Sequence, residues 1–202
     1  MYHRSVDFLL LLPITLVAVW ITKARQQQRR IAILARYLDG RDIEKHIETL
    51  SQGYLRALGE SDSTRSAQVW EVLRGTEDVL SRQVCKLAED FAGVEPTATR
   101  VSKFPIWLPR SPALDRSFDM REALRIHARG ICRAIERQGT SPKDRAFSIL
   151  AEMLLMQHTC HWYCRSKSVA SARMLASHHT SYEQVVGGVL PQTRQEYLEL
   201  VS

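Results

Sequence analysis

The sequence carries no motif of a familiar catalytic machine. It has no G-x-S-x-G turn to present a nucleophilic serine. It has no G-x-x-x-x-G-K-[ST] loop to cradle phosphates and no G-x-G-x-x-G loop for a dinucleotide. H-E-x-x-H is missing, which excludes a zincin-type protease. Paired Glu-x-x-His is missing too, and with it the di-iron bundle. Glycines are few and fall mostly at expected helix ends, and no internal repeat, low-complexity tract or alternating strand pattern interrupts the chain. Four cysteines, Cys85, Cys132, Cys160 and Cys164, are too few for a dense disulfide framework. Cys160 and Cys164 lie on one expected helix face, where disulfide geometry is not usually met, so reduced thiols are expected. These absences point to a non-enzymatic protein.

What is present is enough apolar matter for one packed domain. The chain has 202 residues, 45% hydrophobic and 25% charged, which excludes wholesale disorder. The net charge of +6 favours anionic neighbours: phospholipid headgroups, acidic proteins or nucleic acid. Nucleic acid is the least supported, because no helix-turn-helix, zinc finger or aromatic RNA-binding motif accompanies the charge.

Residues 8–22 read FLLLLPITLVAVWIT, without a charge. Lys23, Arg25, Arg29 and Arg30 follow this run, whereas only Arg4 and the amino terminus precede it. That order is the reverse of a secretory signal, no small-x-small cleavage site follows Ala18, and Trp20 sits where an interfacial aromatic belongs. The pattern predicts a retained membrane anchor over residues 1–25. The charge rule places the N-terminus outside and the domain in the cytoplasm, at the inner membrane in a bacterium. The run is short against the usual span of about 20 residues.

The remainder, 26–202, predicts an all-α, cytoplasmic helical bundle. Helices are expected over about 42–58, from an Asp62 or Ser63 cap to Phe91, from an Asp119/Glu122 capping box to about Gln138, from Ser141-Pro142 through Cys164, after a Thr180 cap, and from Pro191. The Ser141 helix is apolar around most of its circumference between Phe147 and Met156 and should be central. Pro96, Pro105, Pro109 and Pro112 make about 95–118 a proline-rich loop. Its FPIWLP piece, with Phe104 and Trp107, is apolar enough to lie on the bundle or a partner.

Two patterns bear on function. Arg121, Arg125, Arg129, Arg133 and Arg137 recur every four residues, a basic stripe suited to carboxylates or phosphates. His158, Cys160, His161 and Cys164 are ligand types for zinc or haem, with neighbours on one helix face and His127, Cys132, His178 or His179 to complete a shell. The leading expectation is a membrane-anchored interaction or assembly protein that needs no cofactor. It would present the arginine stripe, the Phe104/Trp107 segment, or both, to a protein at the membrane or to anionic lipid. The alternative is a metal- or haem-binding sensor built on His158, His161 and Cys164.

Overall fold

The computed structural model describes residues 3–104 and 116–202, with side chains from residue 13 onward. Among these residues the protein is all-α apart from one short hairpin. The helices are α1 (His3–Leu38), α2 (Ile43–Gly59), α3 (Ser63–Phe91), α4 (Pro96–Thr99), α5 (Met120–Glu136), α6 (Pro142–Cys164), α7 (Lys167–His178), α8 (Tyr182–Gly188) and α9 (Pro191–Val201). Strands β1 (Arg100–Ser102) and β2 (Ser117–Asp119) pair antiparallel between α4 and α5.

Local chemistry sets most helix starts. Asp62 accepts hydrogen bonds from the Thr64 and Arg65 amides at 2.8 and 3.2 Å, and Ser141 accepts one from the Asp144 amide at 3.1 Å. Pro142 and Pro191 open α6 and α9 at positions that need no amide donor. Gly40, at φ +70°, ends α1 in a conformation that costs glycine little. The α8 cap falls one residue beyond the expected Thr180, on Ser181, because Gln184 completes a capping box there. At α5, Asp119 caps as expected through the Arg121 amide, but Glu122 turns outward to arginines instead of closing the box.

α6, apolar around most of its circumference between Phe147 and Met156, is the central helix, as its composition predicts. Ile149, Met153, Leu155, Trp162 and Tyr163 are buried on it, and it touches α1, α2, α5, α7 and α8. Leu73, Leu80, Val84, Leu87 and Phe91 form the core stripe of α3, and Leu124 and Ile131 answer from α5. The hairpin was not expected. Its pairing Val101↔Phe118 buries both side chains, Phe118 meets Trp162 edge-on at 5.0 Å, and the Trp162 indole donates to the Ser102 carbonyl at 3.0 Å. Strands of three residues are too short to show an alternating pattern.

The membrane anchor expected over residues 1–25 is overturned. Among the described residues no helix is long and apolar enough to cross a membrane. Residues 8–22 instead form part of the 36-residue α1. Fifteen uncharged residues span only about 22 Å of helix against a hydrocarbon core of about 30 Å, and lengthening the run takes in Asp7 or Lys23. The single-pass placement, with the N-terminus outside and the domain in the cytoplasm, falls with it.

One carboxyl lies deep in the bundle. Glu152 on α6 is fully buried and accepts the Leu190 amide at 3.0 Å, where α9 begins. Burial pushes its pKa up to about 7, against the opposing pull of the Leu190 amide and the Thr193 hydroxyl. The folded state therefore holds a proton that the unfolded chain releases near 4.5. The resulting stability is full below 4.5 and is lost as the pH rises through about 7. Glu152→Gln, neutral throughout, removes that slope. Relative to the native protein, the variant should gain about 2–3 kcal/mol between pH 5 and pH 8, read by urea unfolding at both. A constant difference would mean that the carboxyl is ionised in the fold at both pH values.

Candidate functional site

The first feature is the stretch 13–22 of α1. From residue 30 onward the helix is anchored. Arg30 and Leu34 are buried, the Arg30 guanidinium donates to the Tyr163 carbonyl at 3.1 Å, and Tyr37 meets Phe91 edge-on at 5.3 Å. Residues 13–22 are all exposed. Ile14, Leu16, Val17, Val19, Trp20 and Ile21 stand in solvent, Leu16 at 62% and Trp20 at 68% exposure. At 100° per residue these positions cover about two-thirds of the helix circumference, and Thr15, Ala18 and Thr22 form the remaining side. Contiguous apolar surface of this kind marks an interaction site.

The arginine stripe is a second surface, and carboxylates of the same chain already meet much of it. Arg125 pairs with Glu122 at 3.0 Å. Arg129 and Arg133 converge on Glu196 of α9 at 2.7 and 3.2 Å. Arg121 grips Asp119 through Nε and Nη2 and donates to the Val94 carbonyl at 3.3 Å. Burial raises the Asp119 pKa, but the Arg121 hydrogen bonds outweigh it and hold the carboxyl below its usual range. Arg137, at the C-cap of α5, is exposed. The stripe thus fastens α9 onto α5. Phe104 is half-buried at the end of the hairpin, and Trp107 lies outside the described residues.

The third feature is the histidine and cysteine end of α6. The structure sends these side chains to separate places. His158 is buried, bonds Ser171 Oγ through Nε2 at 3.0 Å and stacks on Tyr182 at 4.7 Å. Burial, with the Lys167 charge second, lowers its pKa to about 4, so it is neutral at neutral pH. Cys160 packs against the core, and burial pushes its thiol well up. Cys164 sits near Arg30, its pKa raised to about 11 by burial against that opposing charge. His127 bonds Thr159 Oγ1 at 2.9 Å instead of reaching toward His158, and burial lowers its pKa to about 3. Among the described residues no group of three or more His, Cys, Asp or Glu is placed to hold a metal ion.

His158 and His161 do line a cleft of about 520 Å³ between α2, α6 and α7. Glu44 and Glu48 of α2 form one wall, and Arg173 and His178 of α7 another. Burial lowers the His161 pKa, Arg173 lowers it further, and Glu44 opposes both. Such a cleft can receive a small polar guest between walls of opposite sign. Sequence reading reached the two α6 histidines and named His178, but it missed Glu44, Glu48 and Arg173. Their only signal was the four-residue spacing of the acids on α2, which is ordinary for a solvated helix face.

No protein-family model, curated protein or solved structure matches this chain.

Proposed function

We propose that the protein is a non-enzymatic assembly protein that joins copies of itself through residues 13–22 of α1. One observation carries this reading: ten consecutive helical residues stand off the bundle, with large apolar side chains over most of the circumference. Water is a poor neighbour for such a segment, and the bundle leaves it uncovered.

The occupant follows from geometry and charge. Residues 13–22 make about 15 Å of helix, too little by themselves to bury the roughly 800 Å² per partner of a stable dimer through one face. Copies of the same helix supply a matching apolar surface. Lys23, Arg25 and Arg29 form a basic collar directly after the segment. Parallel neighbours would set these collars side by side. Antiparallel neighbours separate them by at least the 15 Å of the segment, beyond the Debye length of about 8 Å at physiological salt. Trp20, large and exposed, is the natural anchor. The arginine stripe lends less support to partner binding, because an acidic partner would have to displace Glu122 and Glu196.

Sedimentation velocity tests the reading. The full chain at about 100 µM should run as a discrete oligomer. The Leu16→Glu/Trp20→Glu variant should run as a monomer with unchanged circular dichroism and melting temperature, because neither side chain touches the core. A monomeric native chain, or a variant that assembles as well as the native one, would sink the proposal.

A further inference from the structure

We propose that Cys85 and Cys132 are a disulfide site, joining α3 to α5 when the protein meets an oxidised low-molecular-weight disulfide of the glutathione class. The inference is independent of the assembly of α1.

The two sulfurs lie 3.1 Å apart. A disulfide bond measures about 2.05 Å, so closure needs an approach of about 1 Å, within reach of small side-chain rotations. The helices that carry them are held at a packed interface by Leu80, Val84 and Leu87 on α3 and Leu124, Ala128 and Ile131 on α5, all buried. The encounter is therefore a standing feature of the fold. Both cysteines are only partly buried, which leaves a path for a reagent. Ser81 Oγ lies 3.1 Å from the Cys132 sulfur, on the same side of the pair as the preceding turn of α3. Cys160 and Cys164 offer no such meeting, because they share one helix and sit one turn apart.

The exchange balances in two steps. A Cys132 thiolate attacks one sulfur of the small disulfide; that S–S bond breaks, one small thiolate leaves, and a mixed disulfide forms. Cys85 then gives its proton to water and attacks the Cys132 sulfur; the mixed bond breaks and the second small thiolate leaves. Two protein thiols lose two electrons, the small disulfide gains them, and its two thiolates take up two protons. The order follows from the surroundings of Cys85. Burial, the contact with Cys132 and the charges of Cys132, Glu89 and Glu136 push its thiol up to about 12. It is a poor first attacker, and capturing Cys132 as a mixed disulfide removes two of those causes. The exchange should quicken as the pH rises.

The full chain is incubated with oxidised glutathione at pH 8, unfolded, alkylated and weighed. Two of the four cysteines should escape alkylation, and peptide mapping should find a Cys85–Cys132 link. The link closes a 47-residue separation. It should raise the melting temperature by about 10 °C, reversed by dithiothreitol. Cys160→Ser/Cys164→Ser should retain both effects, whereas Cys85→Ser should stop at a stable glutathione adduct on Cys132. A link between Cys160 and Cys164, a lasting glutathione adduct on the native chain, or four alkylated thiols after prolonged exposure would overturn the proposal.

Discussion

Replacing Glu77 with alanine is expected to cost the fold about 4 kcal/mol. Glu77 interrupts the apolar stripe of α3 between Leu73 and Leu80 and is completely buried. Three helices meet at its carboxylate. The Tyr54 hydroxyl of α2 donates to Oε1 at 2.7 Å, and Arg145 of α6 bonds Oε2 through Nη2 and Oε1 through Nη1, the latter at 3.3 Å. Arg145 also donates Nε to the Ile135 carbonyl near the end of α5 at 3.2 Å. Truncating Glu77 leaves a guanidinium with little exposure and no carboxylate, and a buried hydroxyl without its acceptor. Breaking a buried pair from one side typically costs about 3–5 kcal/mol, because the partner's desolvation is no longer offset. Urea unfolding should show the loss as a shifted midpoint at unchanged slope. Glu77→Met/Arg145→Met/Tyr54→Phe should recover most of it, since only the Ile135 carbonyl then loses its donor. A single variant within about 1 kcal/mol of the native protein would show that the three groups do not act as a clasp.

Gly130→Val is expected to cost about as much, by a different route. Gly130 lies in the middle of α5, where alanine would ordinarily be better by about 1 kcal/mol. Space decides against any side chain here. A Cβ would stand 2.4 Å from Glu152 Oε2, 2.7 Å from Thr193 Oγ1 and 2.9 Å from the Glu152 carboxyl carbon. Glu152 cannot swing away cheaply, because its other oxygen holds the Leu190 amide at the start of α9. Overpacking costs about 1–3 kcal/mol, and losing a buried hydrogen bond to the carboxyl adds about 1–3. The sum, near 4 kcal/mol, should appear as a melting temperature lower by about 8–16 °C, with α9 losing amide-exchange protection first. A Gly130→Val protein that melts within a few degrees of native would mean that α9 is not fastened at this point.

Much of the helical order could be read from neighbouring residues. Asp62, Asp119 and Ser141 announce α3, α5 and α6 because a cap acts within three residues of itself. α6 announces its central place through apolar residues around most of its circumference between Phe147 and Met156. Where the signal was weak, the reading failed. α7, with only Ala170 and Met174 buried, has too narrow an apolar stripe to stand out, and the hairpin is too short for a period. Thr180 and Ser181 offer the same hydroxyl chemistry, and the position of Gln184 selects the second.

The site residues divide in the same way. The arginines of α5 and the histidines of α6 were visible as periodic patterns, but their partners were not. Glu196 reaches Arg129 across 67 positions, Glu77 reaches Arg145 across 68, and Cys85 meets Cys132 across 47. Helix type, caps and the central place of α6 follow from contacts three or four residues long, which any stretch of chain carries within itself. Which charges are neutralised, which thiols touch and which apolar helix is left uncovered depend on groups brought together by packing. The energy of such a meeting has no counterpart in the local pattern, because burial and distance exist only once the bundle has closed.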